Sequence, residues 1–125
     1  MVKGHSSDSG CVFCKIIHGE IPSPRIYEDD SFICIRDIRP QAKTHLLVIP
    51  KEHVASLEDA YPPAGRDHHE LVSGLLGMTV KIAREQKMLP HGFRTIINTG
   101  EGGGQTVPHL HLHLLGGEAL GEGLL

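Results

Sequence analysis

The 125-residue chain lacks three features that would narrow its function class: a long hydrophobic run, an excess of one charge and an even set of cysteines. Its longest apolar runs, such as residues 46–49, are far shorter than the roughly 20 residues that span a bilayer, so we expect no membrane segment. The net charge of −3 creates no field that attracts a polyanion, which argues against nucleic acid as the main partner.

The cysteine count of three is odd, and residues 1–10 contain no apolar stretch of the kind that a secretory signal requires. Both observations favour reduced thiols over disulfides. We therefore predict a cytoplasmic protein, with a nuclear or organellar location left open. The length suits one domain, expected at residues 11–117 between a disordered tail at 1–10 and a short tail at 118–125.

The most informative stretch is His109–Leu115, in which polar and apolar residues alternate. Such alternation predicts a half-buried β-strand, because successive side chains point to opposite faces. His109, His111 and His113 would then share one face, each about 6.6 Å from the next, while the leucines between them enter the core. Three imidazoles in a row indicate a chemical role.

A glycine-rich run, Gly100–Thr106, lies just before this stretch. Its backbone can fold so that several N–H groups point into one concavity, which is how chains bind phosphate oxyanions. A phosphate held beside neutral histidines suggests phosphoryl or nucleotidyl transfer.

The hydrophobic pattern predicts five strands, one long helix and shorter helical segments. The long helix is expected over residues 67–88, where apolar residues recur at helical spacing. Shorter segments are expected at 11–18, with Val12 and Ile16 facing inward, and at 56–60. The strands are expected at residues 25–28, 32–36, 45–49, 93–98 and 109–115. This order of elements predicts an α+β domain with an antiparallel sheet.

The segment Asn98–Gly117, with its three alternating histidines, resembles the histidine triad (HIT) family of nucleotide hydrolases and transferases. Residues 26–30, 37–42 and 44–53 resemble the Hint branch of that family, the purine-nucleoside phosphoramidases. The resemblance implies a five-stranded antiparallel sheet with one long and one short helix. It also implies a homodimer formed through the long helix and a neighbouring strand.

The same resemblance implies the chemistry of three histidines. His111 matches the family's nucleophile, which attacks the α-phosphorus and forms a nucleotidyl-histidine intermediate that water then hydrolyses. His113 and His45 match histidines that stabilise negative charge on the phosphoryl oxygens. The implied reaction cleaves the P–N bond of an adenosine or guanosine 5′-phosphoramidate and needs no catalytic metal.

Further substrate contacts follow from the resemblance. Asp37 is expected to accept hydrogen bonds from the ribose hydroxyls. The residues expected to bind the phosphate are Asn98, Gly104, Gln105 and Thr106. The apolar side chains expected to enclose the purine ring are Phe13, Ile16, Ile21, Ile35 and Ile38.

The pair Cys11 and Cys14, separated by two residues, can reach one Zn²⁺ ion, and two nitrogen ligands would complete a tetrahedral site. The resemblance to bacterial family members with this pair suggests His53 and His109 as those ligands. Such a zinc ion would be structural and would leave the other histidines for chemistry. Two free thiols are the alternative interpretation.

The remaining cysteine and histidines have simpler expectations. Cys34 is expected to be a small buried hydrophobic residue. Surface positions are expected for His5, His18, His68, His69 and His91.

The C-terminal tail departs from the Hint branch, whose members commonly end in a Trp-containing segment that reaches the partner's active site. This chain has no Trp, so its specificity for the amine side of the substrate stays open. Three other functions also stay open. They are a dinucleoside polyphosphate hydrolase of the Fhit-like branch, a zinc hydrolase whose three triad histidines hold a catalytic metal, and a nucleotide-binding scaffold with residual activity.

Overall fold

The computed structural model of the chain describes residues 8–123, so residues 1–7 and 124–125 of the predicted tails lie outside the described residues. Its strands are β1 (Tyr27–Glu28), β2 (Phe32–Arg36), β3 (Thr44–Pro50), β4 (Arg94–Ile96) and β5 (Leu112–Gly116). Its helices are α1 (Val12–Ile17), α2 (Leu57–Ala60) and α3 (His69–Glu85), and a 3₁₀ turn covers Glu101–Gly103. The strands form one antiparallel sheet in the order β1-β2-β3-β5-β4, which confirms the predicted α+β class.

The alternating side chains of β3, at the centre of the sheet, separate its two faces. Leu46 and Val48 pack in a cluster that includes Leu75 of α3. Leu47 packs in a second cluster that includes Phe13 of α1. We refer to these two sides of the sheet as the α3 face and the α1 face.

The register of the sheet places two of the candidate catalytic histidines on the α1 face. His113 lies opposite Leu47, and directly opposed residues of antiparallel strands project to the same face. His45 lies two residues before Leu47 on β3 and therefore projects the same way. The candidate site belongs to the α1 face.

The structure differs from the prediction at the histidine stretch. Regular pairing begins only at Leu112, so His113 alone of the three histidines lies in β5. Pro108, just before the stretch, has no N–H to donate to a neighbouring strand. The N–H of Leu110 donates instead to the Val54 carbonyl at 2.7 Å. The backbone of the segment that enters β5 is therefore bonded to a loop rather than to a neighbouring strand.

The other predicted helices and strands are present, but several have different first and last residues. The elements β1, β4 and α3 are each shorter than predicted. The prediction that Val12 faces inward is wrong, since this side chain is 39% exposed. A helix of six residues buries one side, and Phe13 and Ile16 occupy the buried side of α1.

Helix α3 approaches the sheet closely at Gly74. A Cβ atom at Gly74 would lie 3.1 Å from Cζ of Phe32, so glycine permits this contact. Gly77 faces open space, and there glycine only weakens the helix, by up to about 1 kcal/mol. Within residues 8–123, every helix is too short or too polar to cross a bilayer.

Gly117, directly after β5, occupies a backbone conformation that excludes a side chain. Its φ is +79°, and a Cβ atom would lie 2.7 Å from Oγ1 of Thr44. We expect Gly117→Ala to lower the free energy of unfolding by about 2–4 kcal/mol, because strain and clash add. Gly19→Ala is the matched control: φ at Gly19 is +81° in open space, so only about 1–2 kcal/mol should be lost. Equal losses in urea unfolding would contradict the clash.

Candidate active site and metal centre

His111 is held so that one of its ring nitrogens keeps a lone pair. Its Nδ1 lies 2.7 Å from the backbone carbonyl oxygen of His109. A carbonyl oxygen only accepts, so Nδ1 carries the proton and donates it. Burial lowers the pKa of His111 below its ordinary value of 6.5, against the opposing effect of the His109 carbonyl. At neutral pH the ring is therefore uncharged, and Nε2 can act as a nucleophile.

A chain of hydrogen bonds determines where the protons lie on His45 and His113. The backbone N–H of Gln41 donates to Nδ1 of His45 at 3.0 Å, so the neutral ring of His45 carries its proton on Nε2. That Nε2 lies 2.9 Å from Nδ1 of His113 and donates to it. His113 therefore carries its own proton on Nε2, from which it can donate to a substrate oxygen.

Both rings of this pair are uncharged at neutral pH. Burial lowers the pKa of His45. Burial, reinforced by His111 and His45, lowers the pKa of His113 to about 4. The ring centroids of His111 and His113 are 5.2 Å apart. The α1 face thus presents a nucleophilic nitrogen beside an N–H donor, a pair suited to attack at phosphorus and to stabilising the charge that develops there.

Asp37 lies beside the histidine pair. Its Oδ2 is 3.4 Å from Nε2 of His45 and 3.9 Å from Nδ1 of His113. Its Oδ1 accepts the N–H of Arg39 at 2.7 Å. The structure therefore brings the predicted ribose acceptor to the histidines, and its contact with ribose stays a prediction.

The glycine-rich loop is held together by the side chains of two residues predicted to bind phosphate. Nδ2 of Asn98 donates to the Gly103 carbonyl at 2.8 Å. Oε1 of Gln105 accepts the Gly100 N–H at 2.9 Å, and Nε2 of Gln105 donates to the Ala55 carbonyl at 2.7 Å. These amides stabilise the loop from within. The side-chain amides of Asn98 and Gln105 therefore already form hydrogen bonds within the protein.

The other two residues of this loop that are predicted to bind phosphate are Gly104 and Thr106. Gly104 has φ +83°, which permits the sharp turn of the loop. Thr106 is exposed, and across residues 8–123 neither its N–H nor its hydroxyl has a protein hydrogen-bond partner. Thr106 therefore offers two donors to a phosphate.

The predicted purine-binding residues fall into two groups. Phe13, Ile16 and Ile35 are buried in the cluster on the α1 face, and Ile21 packs against it. Ile38 is 93% exposed, because the connection after β2 carries it away from the sheet. The contact of these side chains with a purine, that of the exposed Ile38 included, stays a prediction.

Four metal-binding side chains converge next to α1. They are Cys11, Cys14, His53 and His109, and their ligand atoms all lie within 4.8 Å of one another. Sγ of Cys11 is 3.4 Å from Nδ1 of His109, Sγ of Cys14 is 3.3 Å from Nδ1 of His53, and the two Nδ1 atoms are 3.1 Å apart. Ligands of a tetrahedral zinc ion are separated by about 3.3–3.8 Å. The separations of 3.1–3.4 Å are close to this range, so the four predicted ligands lie near enough to surround one ion.

The protonation of His109 also fits a metal ligand. Its Nε2 lies 2.8 Å from the Pro50 carbonyl oxygen and must donate to it. Nδ1 therefore directs a lone pair toward the cysteines. Burial lowers the pKa of His109 to about 4, so the ring is neutral, as zinc ligation requires. A carbonyl that orients a ligating histidine in this way is a common second partner at metal sites.

A second group of possible ligands, Asp37, His45 and His113, fits a metal poorly. A metal ion on Nε2 of His45 would place the single ring proton on Nδ1, where it would face the N–H of Gln41. Two donors would then oppose each other. The alternative of a catalytic metal held by all three triad histidines is not supported either, since His109 directs its side chain into the cysteine cluster.

Three contributors to these sites gave no signal in the sequence. The Gln41 N–H and the Pro50 carbonyl are backbone groups, which no residue type reveals. Asp8 lies in the stretch predicted to be a disordered tail. Its N–H donates to Sγ of Cys14 at 3.4 Å, and its Oδ2 is 3.9 Å from Nε2 of His53. Asp8 thus supports the cysteine cluster from outside.

The other predicted positions are simpler. Cys34 is fully buried, as predicted, and burial raises the pKa of its thiol to about 12. His18, His69 and His91 are exposed. His68 is half-buried, with Nδ1 3.2 Å from the Glu52 carboxylate. His5 lies outside the described residues.

The depressed pKa values predict a loss of stability in mild acid. His113 titrates near 6.5 in the unfolded chain and near 4 in the folded chain. Between these values only the unfolded chain takes up the proton, so stability falls as pH falls from 6.5 toward 4. We expect a loss of about 1–2 kcal/mol between pH 6.5 and 5. Urea unfolding at both pH values measures it; His113→Gln should reduce the slope, and a slope unchanged by that variant would contradict the assignment.

Fold and site together define a protein whose reactive centre is built from imidazoles on one face of an antiparallel sheet. A family model described as "Scavenger mRNA decapping enzyme C-term binding" matches residues 10–124. A purine nucleoside phosphoramidase from Escherichia coli is 41% identical over 110 residues, which cover 88% of this chain and 89% of that protein. The chain belongs to the histidine triad (HIT) family of hydrolases.

Solved structures agree with this assignment. A histidine triad protein from Clostridium difficile superimposes with a TM-score of 0.85 at 43% identity, covering 93% of this chain and 97% of that one. A Zn-bound histidine triad family protein from Mycobacterium smegmatis gives a TM-score of 0.73 at 41% identity, covering 92% and 79%. The fold is thus that of HIT proteins, and one such relative binds zinc.

Proposed function

We propose that this protein is a purine-nucleoside phosphoramidase of the Hint branch. The observation that carries the proposal is the hydrogen bond from Nδ1 of His111 to the His109 carbonyl, which leaves Nε2 as the unprotonated nitrogen. The relative from Escherichia coli named for this activity supports the choice of substrate class.

In the proposed reaction, Nε2 of His111 attacks the α-phosphorus of a nucleoside 5′-phosphoramidate. The new N–P bond forms as the P–N bond to the amine breaks, and the departing amine takes up a proton from solvent water. Nε2–H of His113 and the two donors of Thr106 stabilise the phosphoryl oxygens. Because Nε2 becomes bonded to phosphorus while Nδ1 keeps its proton, the ring gains positive charge, which the His109 carbonyl stabilises.

Water then attacks the nucleotidyl-His111 intermediate. The N–P bond breaks, an O–P bond forms, and the nucleoside monophosphate leaves with the added oxygen. The proton that water loses has an acceptor in the released histidine or the product phosphate. Asp37, near the pair of His45 and His113, is proposed to bind the ribose. The side chains proposed to contact the purine are those of Phe13, Ile16, Ile21, Ile35 and Ile38.

We propose that Cys11, Cys14, His53 and His109 hold a structural zinc ion. The donor set and the protonation of His109 support this assignment. The ion would attach α1 to the segment before β5, and no chemical step depends on it. Thiolate ligands need a reducing compartment, which agrees with the predicted cytoplasmic location.

The test compares two substrate classes with the same preparation. Adenosine 5′-phosphoramidate should be hydrolysed to AMP and amine, and diadenosine polyphosphate much more slowly. A chelator that removes zinc should lower turnover by no more than about tenfold, provided the protein stays folded by circular dichroism. Preferential cleavage of the polyphosphate would move the protein to the Fhit-like branch. Slow turnover of both, with tight AMP binding, would favour a nucleotide-binding scaffold.

We further propose a homodimer. Across residues 8–123, β4 pairs only with β5 and therefore ends the sheet, and Leu76 of the long helix α3 is 47% exposed. The open edge of β4 and the exposed apolar side chain of Leu76 each suit contact with a second copy of the chain. Sedimentation at micromolar concentration should give a mass near 27 kDa, twice the 13.6 kDa of one chain. Leu76→Glu should shift the mass toward the monomer, and a monomeric wild-type protein would overturn the proposal.

A further inference from the structure

We infer that helix α1 is a positioning element for the nucleophile, and that Phe13 transmits the position of the metal centre to the ring of His111. The kinetic part of this inference rests on the proposed function. Its structural part, the orientation of one imidazole ring, can be measured without a substrate.

The ring of His111 needs more than its single hydrogen bond to point in one direction. The bond from Nδ1 to the His109 carbonyl fixes one edge of the ring but allows it to tilt about that edge. Nε2, the atom that must meet the phosphorus, lies across the ring from this attachment. A small tilt therefore displaces the reacting lone pair, and a displacement of about 1 Å can lower a rate by about a hundredfold.

Phe13 supplies a constraint from the α1 side. Its ring meets the His111 ring edge to face, with centroids 5.0 Å apart and an interplanar angle of 77°. The same ring meets His109 at 5.9 Å and 81°. On another side, His111 meets the ring of His113 at 5.2 Å. Phe13 thus contacts both the nucleophile and the residue whose carbonyl binds it.

The position of Phe13 depends on how α1 is attached. The helix has six residues, too few to be stable by itself. Its attachment on the side facing His111 is the pair of cysteines that bracket Phe13. Sγ of Cys11 and Sγ of Cys14 lie 3.4 and 3.6 Å from Nδ1 of His109. Zinc on these ligands would therefore hold the backbone on both sides of Phe13.

This arrangement assigns Phe13 a role in addition to the purine contact predicted for it. The side chain is 6% exposed, so most of its surface contacts protein. A ligand could reach only a small part of it. The residue is therefore a positioning residue, and its removal should affect kcat more than KM.

The experiment measures three proteins, each in a zinc-loaded and a zinc-free state. The proteins are the wild type, Phe13→Leu and the control Ile17→Ala, each loaded with zinc or stripped by a chelator. Ile17 belongs to α1 and packs against the same cluster, so its truncation removes apolar contact from the helix while both cysteines and the Phe13 ring stay in place. Nitrogen-15 spectra of the histidine side chains report which nitrogen of His111 carries the proton. They also report ring orientation, because a ring that tilts away from the His109 carbonyl loses the bond that holds the proton on Nδ1. Phosphoramidate turnover reports kcat and KM.

In the zinc-loaded wild type, His111 should show one tautomer with the proton on Nδ1. Stripping zinc or introducing Phe13→Leu should each broaden or average these signals and lower kcat about tenfold, with KM changed less than about twofold. The two effects should not add, because both remove the same constraint. Ile17→Ala with zinc should keep the wild-type signals and a kcat within about twofold.

Three results would overturn the inference. One is an unchanged His111 tautomer in folded Phe13→Leu. Another is a further tenfold loss of kcat when zinc is stripped from Phe13→Leu. That result would mean that zinc acts on the His111 ring through the His109 carbonyl and not through Phe13. The third is an equal effect of Ile17→Ala. If no phosphoramidate is hydrolysed by any protein, the proposed function fails, while the spectra still decide the role of Phe13. Phe13→Met replaces Phe13→Leu if that variant does not fold.

Discussion

His111→Ala is expected to reduce phosphoramidate turnover by roughly 10⁴-fold or more, because it removes the atom that forms the bond to phosphorus. The fold should remain, although the truncation leaves a small cavity beside Phe13. Binding of AMP should weaken far less than turnover, since the predicted ribose and phosphate contacts stay in place. Steady-state kinetics and equilibrium binding of AMP measure the two quantities separately.

The matched control for this variant is His91→Ala, which removes an exposed histidine outside both clusters. It should keep wild-type turnover within about twofold. Acid quench of the wild type with radiolabelled substrate should trap the label on protein, and His111→Ala should trap none. Retained turnover in His111→Ala, with label still trapped, would move the nucleophile to another residue.

Cys14→Ser is expected to abolish stoichiometric zinc binding and to lower the melting temperature by about 10–20 °C. A ligand present at about a thousandfold above its dissociation constant stabilises the folded chain by about 4 kcal/mol. A loss of about 4 kcal/mol lowers the melting temperature of a domain of this length by about 10–20 °C. The hydroxyl of serine is a poor replacement for a thiolate at zinc.

The metal content of purified protein, measured by mass spectrometry, should fall from about one zinc ion per chain to almost none in Cys14→Ser. Cys34→Ala is the control, because Cys34 is a buried thiol in the other core cluster. It should keep the zinc and lose about 1 kcal/mol. A wild-type protein without zinc, or a Cys14→Ser protein that melts with the wild type, would contradict a structural metal.

Several features were predictable because they rest on local pattern. The strand at residues 32–36 was predicted with the bounds that β2 has, since a run of buried apolar residues is bounded there by turn residues. The four metal ligands were predicted from the cysteine spacing together with a family resemblance, and the structure brings all four together. Ile38 shows the limit of this approach, because an apolar residue in a connection has no periodic neighbours that indicate which way it points.

The sequence by itself determined the class of fold, the order of its elements and the residues available for chemistry, because periodicity and residue type are local properties. Only the tertiary structure decided the protonation of each imidazole. That decision depends on the backbone groups of Gln41, His109 and Pro50, which any residue type could supply. Sheet register and loop closure bring those groups to the rings. They leave Nε2 unprotonated on His111, Nε2 protonated on His113 and Nδ1 unprotonated on His109.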